Sequence, residues 1–390
     1  MRIAVVVAAM LAAIPALIMG TPDASHGPTD SEVEQLVAQE IKPMLSADAA
    51  GGIAVAVRIE GRSLFFNYGF ADLAEKRPIT SDSLFNLASI RKTFEVILLA
   101  IGVKRGELNF EDPVAKYVIE LQQGDYISRV TLGQLATHTS GLLLPSDHPP
   151  WPRHRYTLPE FIRALNAWIP ERGEEPGKQH IYSHAGYVLL QLALERRYRT
   201  PIAELIDRRV LKPLGLTSTV VPERGPDGRA ELSAALLRRA VQGYSSAGNP
   251  IGTPGDQQGY FDFPGTGQMF SSARDLATFL AAHLGELPID LQLQDAMELT
   301  REGTIRMNAR STQALAWEIH DHGGPLIVDK PGGLYNSSTY IGMVPERKLG
   351  IVILANWGEQ HPFEIARQIV LPALANLQGR IFPLMRVSTL

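Results

Sequence analysis

A serine and a lysine three positions apart form the first pair in this sequence that could do chemistry. Ser89 stands where an apolar, periodic segment (residues 92–105) predicts the start of a helix, and Lys92 lies in the first turn. Residues three apart share a helix face, so the hydroxyl and the amine can meet. The positive end of the helix dipole lowers the lysine pKa, and a neutral amine can accept the proton of a serine nucleophile. An N-cap serine followed by a solvated lysine would have the same spacing.

Two further segments carry groups that could assist such a nucleophile. Tyr182 opens a predicted helix after a Pro-Gly turn, and Lys330 lies at the end of a predicted strand, in the run Lys-Pro-Gly-Gly. In this order the chain resembles the serine β-lactamase and penicillin-binding-protein superfamily, whose signatures are S-x-x-K, Y/S-x-N and K-T-G. The resemblance is strongest to class C β-lactamases and covers residues 31–378. Other segments that resemble that class are residues 105–108, 112–114, 135–142, 316–318 and 344–352.

The resemblance implies a role for each residue that matches a family motif. Ser89 would be the acylated serine, Lys92 the lysine beside it, and Tyr182 a proton shuttle between nucleophile, leaving nitrogen and hydrolytic water. Lys330 would supply positive charge to the tyrosine and to a substrate carboxylate. The backbone N–H groups of Ser89 and Gly333 would form the oxyanion hole. The residues expected to contact the substrate are His184, Gly332 and Pro331.

Several positions depart from the family pattern at the recognition edge of the expected cleft. His184 replaces the usual asparagine and Pro331 the usual threonine, so an amide and a hydroxyl are lost. Gly358 and His361 stand in register with family asparagines. The groups for acylation are retained while the groups for recognition have changed, which leaves the substrate class open.

Four functions therefore remain as hypotheses. The first is a serine β-lactamase, which opens the lactam and then hydrolyses its ester rapidly. The second is a DD-peptidase or peptidoglycan-editing hydrolase, which penicillin would inhibit. The third is an esterase on the same fold, favoured weakly by the lost recognition groups. The fourth, a non-catalytic ligand-binding relative, is disfavoured because Ser89, Lys92, Tyr182 and Lys330 are all present.

Histidine-rich positions raise the question of a metal. His320-Asp321-His322 is a compact donor group, His184 could join another histidine, and His148 and His154 are expected near the cleft edge. A zinc site needs three or four protein ligands, whereas a polar hairpin turn explains the first group as well. We expect no cofactor, with zinc as the less favoured alternative.

The elements around these motifs predict the fold class. Strands are predicted near both chain ends, at residues 51–58, 63–70, 315–320, 326–329, 338–344 and 349–355. Helices are predicted at residues 92–105, 132–137, 158–167, 186–197, 274–284 and 362–377. Strands at both ends and helices between them indicate one sheet built from both termini, with a helical subdomain inserted. The family resemblance implies an α/β (α+β) protein with the antiparallel sheet of the β-lactamase/transpeptidase-like fold. The predicted domains are residues 25–105 with 300–390 for the sheet, and 106–299 for the helical part.

Composition excludes several protein classes. The 390 residues are 45% hydrophobic and 20% charged, and 37 basic against 41 acidic residues give a net charge of −4. This is a globular composition without the basic excess of a nucleic-acid binder. Cysteine is absent, which excludes disulfides, thiolate metal sites and thiol nucleophiles. We expect a small-molecule β-lactam or peptidoglycan-like partner and a monomeric protein.

The N-terminus predicts export. Arg2 precedes an apolar stretch at residues 3–19, and small and polar residues follow without a basic stop-transfer cluster. This is the pattern of a cleaved signal peptide, with cleavage expected after Ala24. We therefore expect a periplasmic or secreted protein without a membrane span after cleavage.

Overall fold

A computed structural model describes residues 27–45, 51–144, 157–170, 175–224, 230–255, 268–358 and 362–378. The predicted signal peptide, His148, His154 and His361 lie outside these ranges. Within the ranges, no helix combines the length and the apolar character needed to cross a membrane.

A nine-stranded antiparallel sheet forms the centre of the fold. Its strand order, from edge to edge, is β10-β11-β12-β13-β14-β15-β1-β2-β3. The strands are β1 (Gly52–Ile59), β2 (Arg62–Asp72), β3 (Arg77–Pro78), β4 (Phe85–Asn86), β5 (Glu223–Arg224), β6 (Ala230–Glu231), β7 (Gly243–Tyr244), β8 (Pro250–Ile251), β9 (Phe270–Ser271), β10 (Ile305–Asn308), β11 (Ser311–Gln313), β12 (Glu318–His320), β13 (Ile327–Leu334), β14 (Ser337–Val344) and β15 (Leu349–Ala355). The two chain ends meet where β1 pairs with β15, which confirms the predicted sheet built from both termini.

Helices cover both faces of this sheet. They are α1 (Asp30–Glu40), α2 (Arg91–Lys104), α3 (Leu132–Ala136), α4 (Leu158–Asn166), α5 (His184–Tyr198), α6 (Ile202–Ile206), α7 (Lys212–Leu214), α8 (Ala234–Leu237), α9 (Ala273–His283), α10 (Leu291–Leu299), α11 (Pro362–Ile365) and α12 (Leu371–Leu377). A π-helical turn (Asp207–Leu211) joins α6 to α7, and a second one (Ala366–Val370) joins α11 to α12.

Alternation along the central strands divides the core into two layers. Val55 on β1 and Ile353 on β15 are register partners, and they pack with α1 and the C-terminal helices. Ala54 and Leu354, one position away on each strand, belong to the second core with α2 and α9. Since successive side chains point to opposite faces, a strand that is apolar at every position is buried on both sides. The α/β fold class predicted from the sequence is therefore confirmed.

One predicted strand is shorter than the sequence suggested. Residues 315–317 are not in a strand, and β12 begins at Glu318. Ala316 has a φ of 62°, and its N–H donates to the carbonyl oxygen of Ala136 at 3.1 Å. This left-handed residue ends the extended conformation and ties the start of β12 to the end of α3.

The predicted boundaries between the two domains stay a prediction. Helix α9 lies in the segment assigned to the helical part, yet it packs against β1 and β15 of the sheet. Helices α1 and α10 and the edge strands β10 and β11 have no counterpart among the predicted elements.

Candidate active site

The serine of the S-x-x-K motif lies at the entrance to helix α2. Ser89 is in a short 3₁₀ turn (Ala88–Ile90) that runs directly into the helix. Ala88 has a φ of 49°, a left-handed conformation, and its N–H donates to the Asn86 side chain at 3.0 Å. The N-cap residue of α2 is Ile90, one position after the serine, so Ser89 is not the N-cap of this helix.

Two side chains contact the Ser89 hydroxyl. The amine of Lys92 lies 3.1 Å from the serine oxygen, and the hydroxyl of Tyr182 lies 2.7 Å from it. Ser89 is 7% exposed and Lys92 is fully buried. The serine is thus held between two groups able to exchange protons with it.

Tyr182 is positioned by the start of helix α5. Ser183 is the N-cap of this helix, and its hydroxyl accepts from the N–H of Gly186 at 2.9 Å. Behind the tyrosine, the His138 ring stacks on the phenol with 4.1 Å between ring centres. His138 is tied to the same segment, because its Nδ1 accepts from the Ser183 N–H at 3.1 Å. The sequence predicted no role for His138, although it lies in the class C-like segment 135–142.

Lys330 approaches the tyrosine from the sheet. It lies on β13, is 1% exposed, and has its Nζ 4.9 Å from the ring centre of Tyr182. The structure therefore brings Ser89, Lys92, Tyr182 and Lys330 together from three distant stretches of chain.

The charges at the site shift the proton affinities of these groups. Burial, together with the charge of Lys330, lowers the pKa of Lys92. Burial acts to raise the pKa of Tyr182, but the charges of Lys92 and Lys330 outweigh it and lower that pKa below its usual value. Both groups therefore give up their protons more readily than free lysine or tyrosine. Once deprotonated, either Lys92 or Tyr182 can accept the proton of Ser89.

Lys330 remains a cation for an electrostatic reason. Burial alone would lower its pKa, but Tyr182 and the Glu318 carboxylate raise it above the usual value. The Oε1 atom of Glu318 lies 3.4 Å from the Nζ of Lys330.

A second layer of ion pairs continues from Glu318. The guanidinium of Arg367 lies 3.5 Å from this carboxylate and makes two hydrogen bonds with Asp329, at 2.6 and 2.8 Å. Asp329 also accepts from the Tyr340 hydroxyl at 2.8 Å and is fully buried. Sequence reasoning missed the roles of Asp329 and Arg367, because neither residue lies in a motif or in a segment that resembles the family.

At the site, strand β13 extends beyond the end of its neighbour β12. Pairing with β12 ends at Asp329, whereas pairing with β14 continues to Leu334. Side chains alternate along a strand, so the positions of Lys330 and Gly332 face Ser89, while Pro331 shares the face of Asp329. Proline has no N–H, so it fits a strand position where the backbone nitrogen faces an edge without a partner strand. Backbone orientation repeats every two residues, so the N–H of Gly333 faces the same open edge as the nitrogen of Pro331.

The backbone of β13 passes close to Ser89 at Gly332. A β-carbon added at this position would lie 2.4 Å from Oγ1 of Thr339, 2.7 Å from the Leu87 carbonyl oxygen and 3.0 Å from the Ser89 nitrogen. At Gly333 an added β-carbon would meet no atom within 4 Å. Only glycine therefore fits the first of these two positions.

His184 lies beside Tyr182 at the start of α5. Its ring stands edge-on to Tyr182, with 5.4 Å between ring centres. Burial and the charges of Lys92 and Lys330 hold its pKa well below the usual range. This side chain is therefore a neutral imidazole at neutral pH, not the titrating group that its free pKa would suggest.

The zinc alternatives are not supported by the donor geometry. His320 points to the carboxylate of Asp329, 3.3 Å away, whereas Asp321 is exposed and accepts from the N–H of Gly323. Within the described residues, the donors that do lie together are Glu318, His320 and Asp329. Glu318 already pairs with Lys330, and Asp329 with Arg367. These two side chains supply the positive charge that a metal ion would otherwise supply.

The chain is similar to known beta-lactamases in sequence. The chain is 27% identical over 357 residues to a beta-lactamase of Pseudomonas fluorescens, across 84% of this chain and 94% of the relative. It is 26% identical over 368 residues to a beta-lactamase of Escherichia coli K12, across 86% of this chain and 91% of the relative.

Solved structures of beta-lactamases and of a related carboxypeptidase are similar to this chain. A class C beta-lactamase superimposes with a TM-score of 0.77 at 23% identity, across 89% of this chain and 96% of the other, which shows a shared fold. The D-alanine carboxypeptidase AmpC of Burkholderia cenocepacia gives a TM-score of 0.75 at 26% identity, across 90% and 99% of the two chains. The family profile named Beta-lactamase matches residues 33–374, so this chain belongs to the beta-lactamase family.

Proposed function

We propose that this protein is a serine hydrolase that opens β-lactams through a covalent acyl-enzyme on Ser89. The observation that carries the proposal is the pair of contacts from Lys92 and Tyr182 to one serine oxygen, at 3.1 and 2.7 Å. An unassisted hydroxyl is a weak nucleophile, and an adjacent base is what activates it.

Acylation uses this arrangement directly. The Ser89 oxygen attacks the lactam carbonyl carbon while its proton passes to Lys92 or to the Tyr182 oxygen, whichever is deprotonated. The tetrahedral intermediate collapses by breaking the carbon–nitrogen bond of the ring. The leaving nitrogen takes a proton from Tyr182, and an ester joins the opened lactam to the serine.

Deacylation repeats the proton transfers with water in place of the serine. Tyr182 accepts a proton from a water that attacks the ester carbon, and the serine oxygen leaves with a proton returned from the same pair of groups. The charge of Lys330 favours the tyrosinate throughout, because its Nζ lies 4.9 Å from the ring centre.

The oxyanion would be held by backbone donors. We assign this role to the N–H groups of Ser89 and Gly333, the latter on the free edge of β13. Losing one such donor typically costs about 10²- to 10³-fold in rate. Gly332 keeps the strand close enough for both donors to reach one oxygen.

A second candidate is a D-alanine carboxypeptidase acting on peptidoglycan-like peptides through the same acyl-enzyme. The specific support is the structural neighbour at 26% identity whose name is D-alanine carboxypeptidase. An esterase is the third candidate, favoured by Pro331, which removes a hydroxyl from the edge expected to hold a substrate carboxylate. We propose that His184, Pro331 and Gly332 line this recognition edge, and that the reaction needs no cofactor.

The proposal extends to the cellular setting. We propose that residues 1–24 are a cleaved signal peptide, that the mature protein is a periplasmic or secreted monomer, and that its partner is a small molecule. We also retain as a proposal the division into a sheet domain (25–105 with 300–390) and a helical domain (106–299).

One experiment separates the three activities. The purified protein is incubated with nitrocefin, imipenem, a D-Ala-D-Ala peptide and p-nitrophenyl acetate, and turnover and adduct mass are measured for each. Steady lactam turnover supports the lactamase, a long-lived lactam adduct with peptide turnover supports the carboxypeptidase, and ester turnover alone supports the esterase. Ser89→Ala abolishes every adduct, whereas the control Ser128→Ala, which removes a hydroxyl bonded to the Asp125 carbonyl, keeps them all. An adduct on Ser89→Ala would refute the assignment.

A further inference from the structure

A buried polar network behind the nucleophile joins α2 to α5. Arg91 and Glu95, one turn apart on α2, form an ion pair at 2.9 Å, and both side chains are fully buried. The same guanidinium donates to Oε1 of Gln191 on α5 at 2.7 Å. No catalytic step proposed above uses any of these residues.

The network continues to a third helix. The Nε2 of Gln191 donates to Glu195 at 3.2 Å, and Glu195 accepts from the backbone N–H of Ile202 at the start of α6 at 2.9 Å. A continuous series of polar contacts therefore connects three helices through a region that is otherwise apolar.

The two helices joined by Arg91 carry the two partners of Ser89. Lys92 is the next residue on α2, and Tyr182 lies two residues before α5 begins. The positions of the amine and the phenol relative to the serine therefore depend on how α2 and α5 sit against each other. A hydrogen bond between the helices controls this alignment more strictly than apolar contacts do, because its donor and acceptor must stay within a few tenths of an ångström.

Stability alone does not account for such a network. Burying an ion pair costs desolvation that its attraction often fails to offset, and apolar replacements of similar volume are often as stable or more stable. Within the described residues, no group besides the Arg91 guanidinium is a hydrogen-bond partner of the Glu95 carboxylate, so the pair lacks the additional hydrogen bonds that would compensate for its burial. The charge pair is therefore better explained by a role in fixing the relative position of the two helices.

We infer that Arg91 is a positioning residue, which aligns α2 with α5 through Gln191 and thereby keeps Lys92 and Tyr182 in simultaneous contact with Ser89. The inference rests on the proposed function for its kinetic consequence only. The alignment itself is a property of the fold.

The test compares Gln191→Met, which breaks the bond between the helices, with the double variant Arg91→Met with Glu95→Met, which replaces the ion pair by apolar side chains. The control is Thr219→Val, which removes a buried hydroxyl bonded to Asp275 on α9 at 2.7 Å and to Ser271 at 2.8 Å, neither of which belongs to α2 or α5. Three quantities are measured: the rate constant for acylation of Ser89 by nitrocefin, the Tm, and the Tyr182–Ser89 oxygen distance in crystal structures.

We expect both network variants to acylate at least about tenfold more slowly, because displacements near 1 Å cost up to about a hundredfold. The double variant should do so with an unchanged or higher Tm, and the oxygen distance should exceed hydrogen-bond reach. Thr219→Val should lower the Tm and leave acylation unchanged. Unchanged acylation and distance in the network variants would overturn the inference. If the unmodified protein forms no adduct on Ser89, the proposed function fails instead, and the crystallographic distance still decides whether Arg91 positions the two groups.

Discussion

Lys330 and Glu318 form a nearly buried ion pair, with 3.4 Å between the amine nitrogen and the carboxylate oxygen, next to Tyr182, which contacts Ser89. The carboxylate belongs to β12 and the lysine to the part of β13 that extends beyond β12. The pair keeps Lys330 charged where burial alone would favour the neutral amine.

Glu318→Gln should lower the upper pH limit of activity. The carboxylate raises the pKa of Lys330, so its removal lets the lysine deprotonate at lower pH, and Tyr182 then loses a charge that lowers its own pKa. The alkaline limb of the kcat/KM profile should move to lower pH, measured with nitrocefin across the accessible range. Glu298→Gln, an exposed site on α10, is the matched control and should leave the limb in place. A profile identical to that of the unmodified protein would show that the pair has no catalytic consequence.

Lys92→Met should separate stability from activity. The amine is fully buried, and replacing it by an apolar chain of similar length removes a desolvation cost, so the Tm should rise. Loss of a positioned base should slow acylation by about 10²- to 10⁴-fold. Calorimetry and stopped-flow acylation measure the two effects. A lower Tm together with normal acylation would contradict both parts.

The two glycines after Pro331 should respond in opposite ways to alanine. Gly332→Ala places a β-carbon 2.7 Å from the Leu87 carbonyl oxygen and 3.0 Å from the Ser89 nitrogen, so the strand or the nucleophile must shift. We expect acylation to fall by about a hundredfold, the cost of a displacement near 1 Å. Gly333→Ala keeps the backbone N–H assigned to the oxyanion hole, and its β-carbon meets no atom within 4 Å, so it should retain near-normal rates and is the matched control. Equal rates for the two variants would argue against the close approach of β13 to the nucleophile.

The buried Glu95 should make folding stability depend on pH. Burial raises the pKa of this carboxyl from 4.5 to about 7, although Arg91 acts in the opposite direction. The folded state therefore binds more protons than the unfolded state between these two values, so stability falls as the pH rises through that window. The loss from this one group is at most about 3 kcal/mol.

Urea unfolding at a series of pH values measures this effect. Glu95→Gln removes the titrating group, so its free energy of unfolding should fall less than that of the unmodified protein from pH 4.5 to about 7. Exposed Glu298→Gln, the control, should follow the unmodified curve. Parallel curves for all three proteins would mean that Glu95 does not titrate in this range.

Local sequence patterns determined much of this protein. The three-residue spacing predicted the contact between Ser89 and Lys92, because helix geometry alone brings such neighbours together. Apolar runs at both chain ends predicted the central strands, since a strand buried on both faces is apolar throughout. The family motifs then selected Tyr182 and Lys330, whose proximity no local spacing could have predicted.

The tertiary structure decided the interactions between distant segments. The stacking of His138 on Tyr182, the link from Lys330 through Glu318 to Arg367, and the bond from Arg91 to Gln191 each join residues far apart in the chain. Their partners are set by how strands and helices pack, and the energy of a charge depends on the burial that this packing creates. The same reasoning explains His184, whose free pKa would suggest titration near neutral pH but whose buried position beside two cations keeps it neutral.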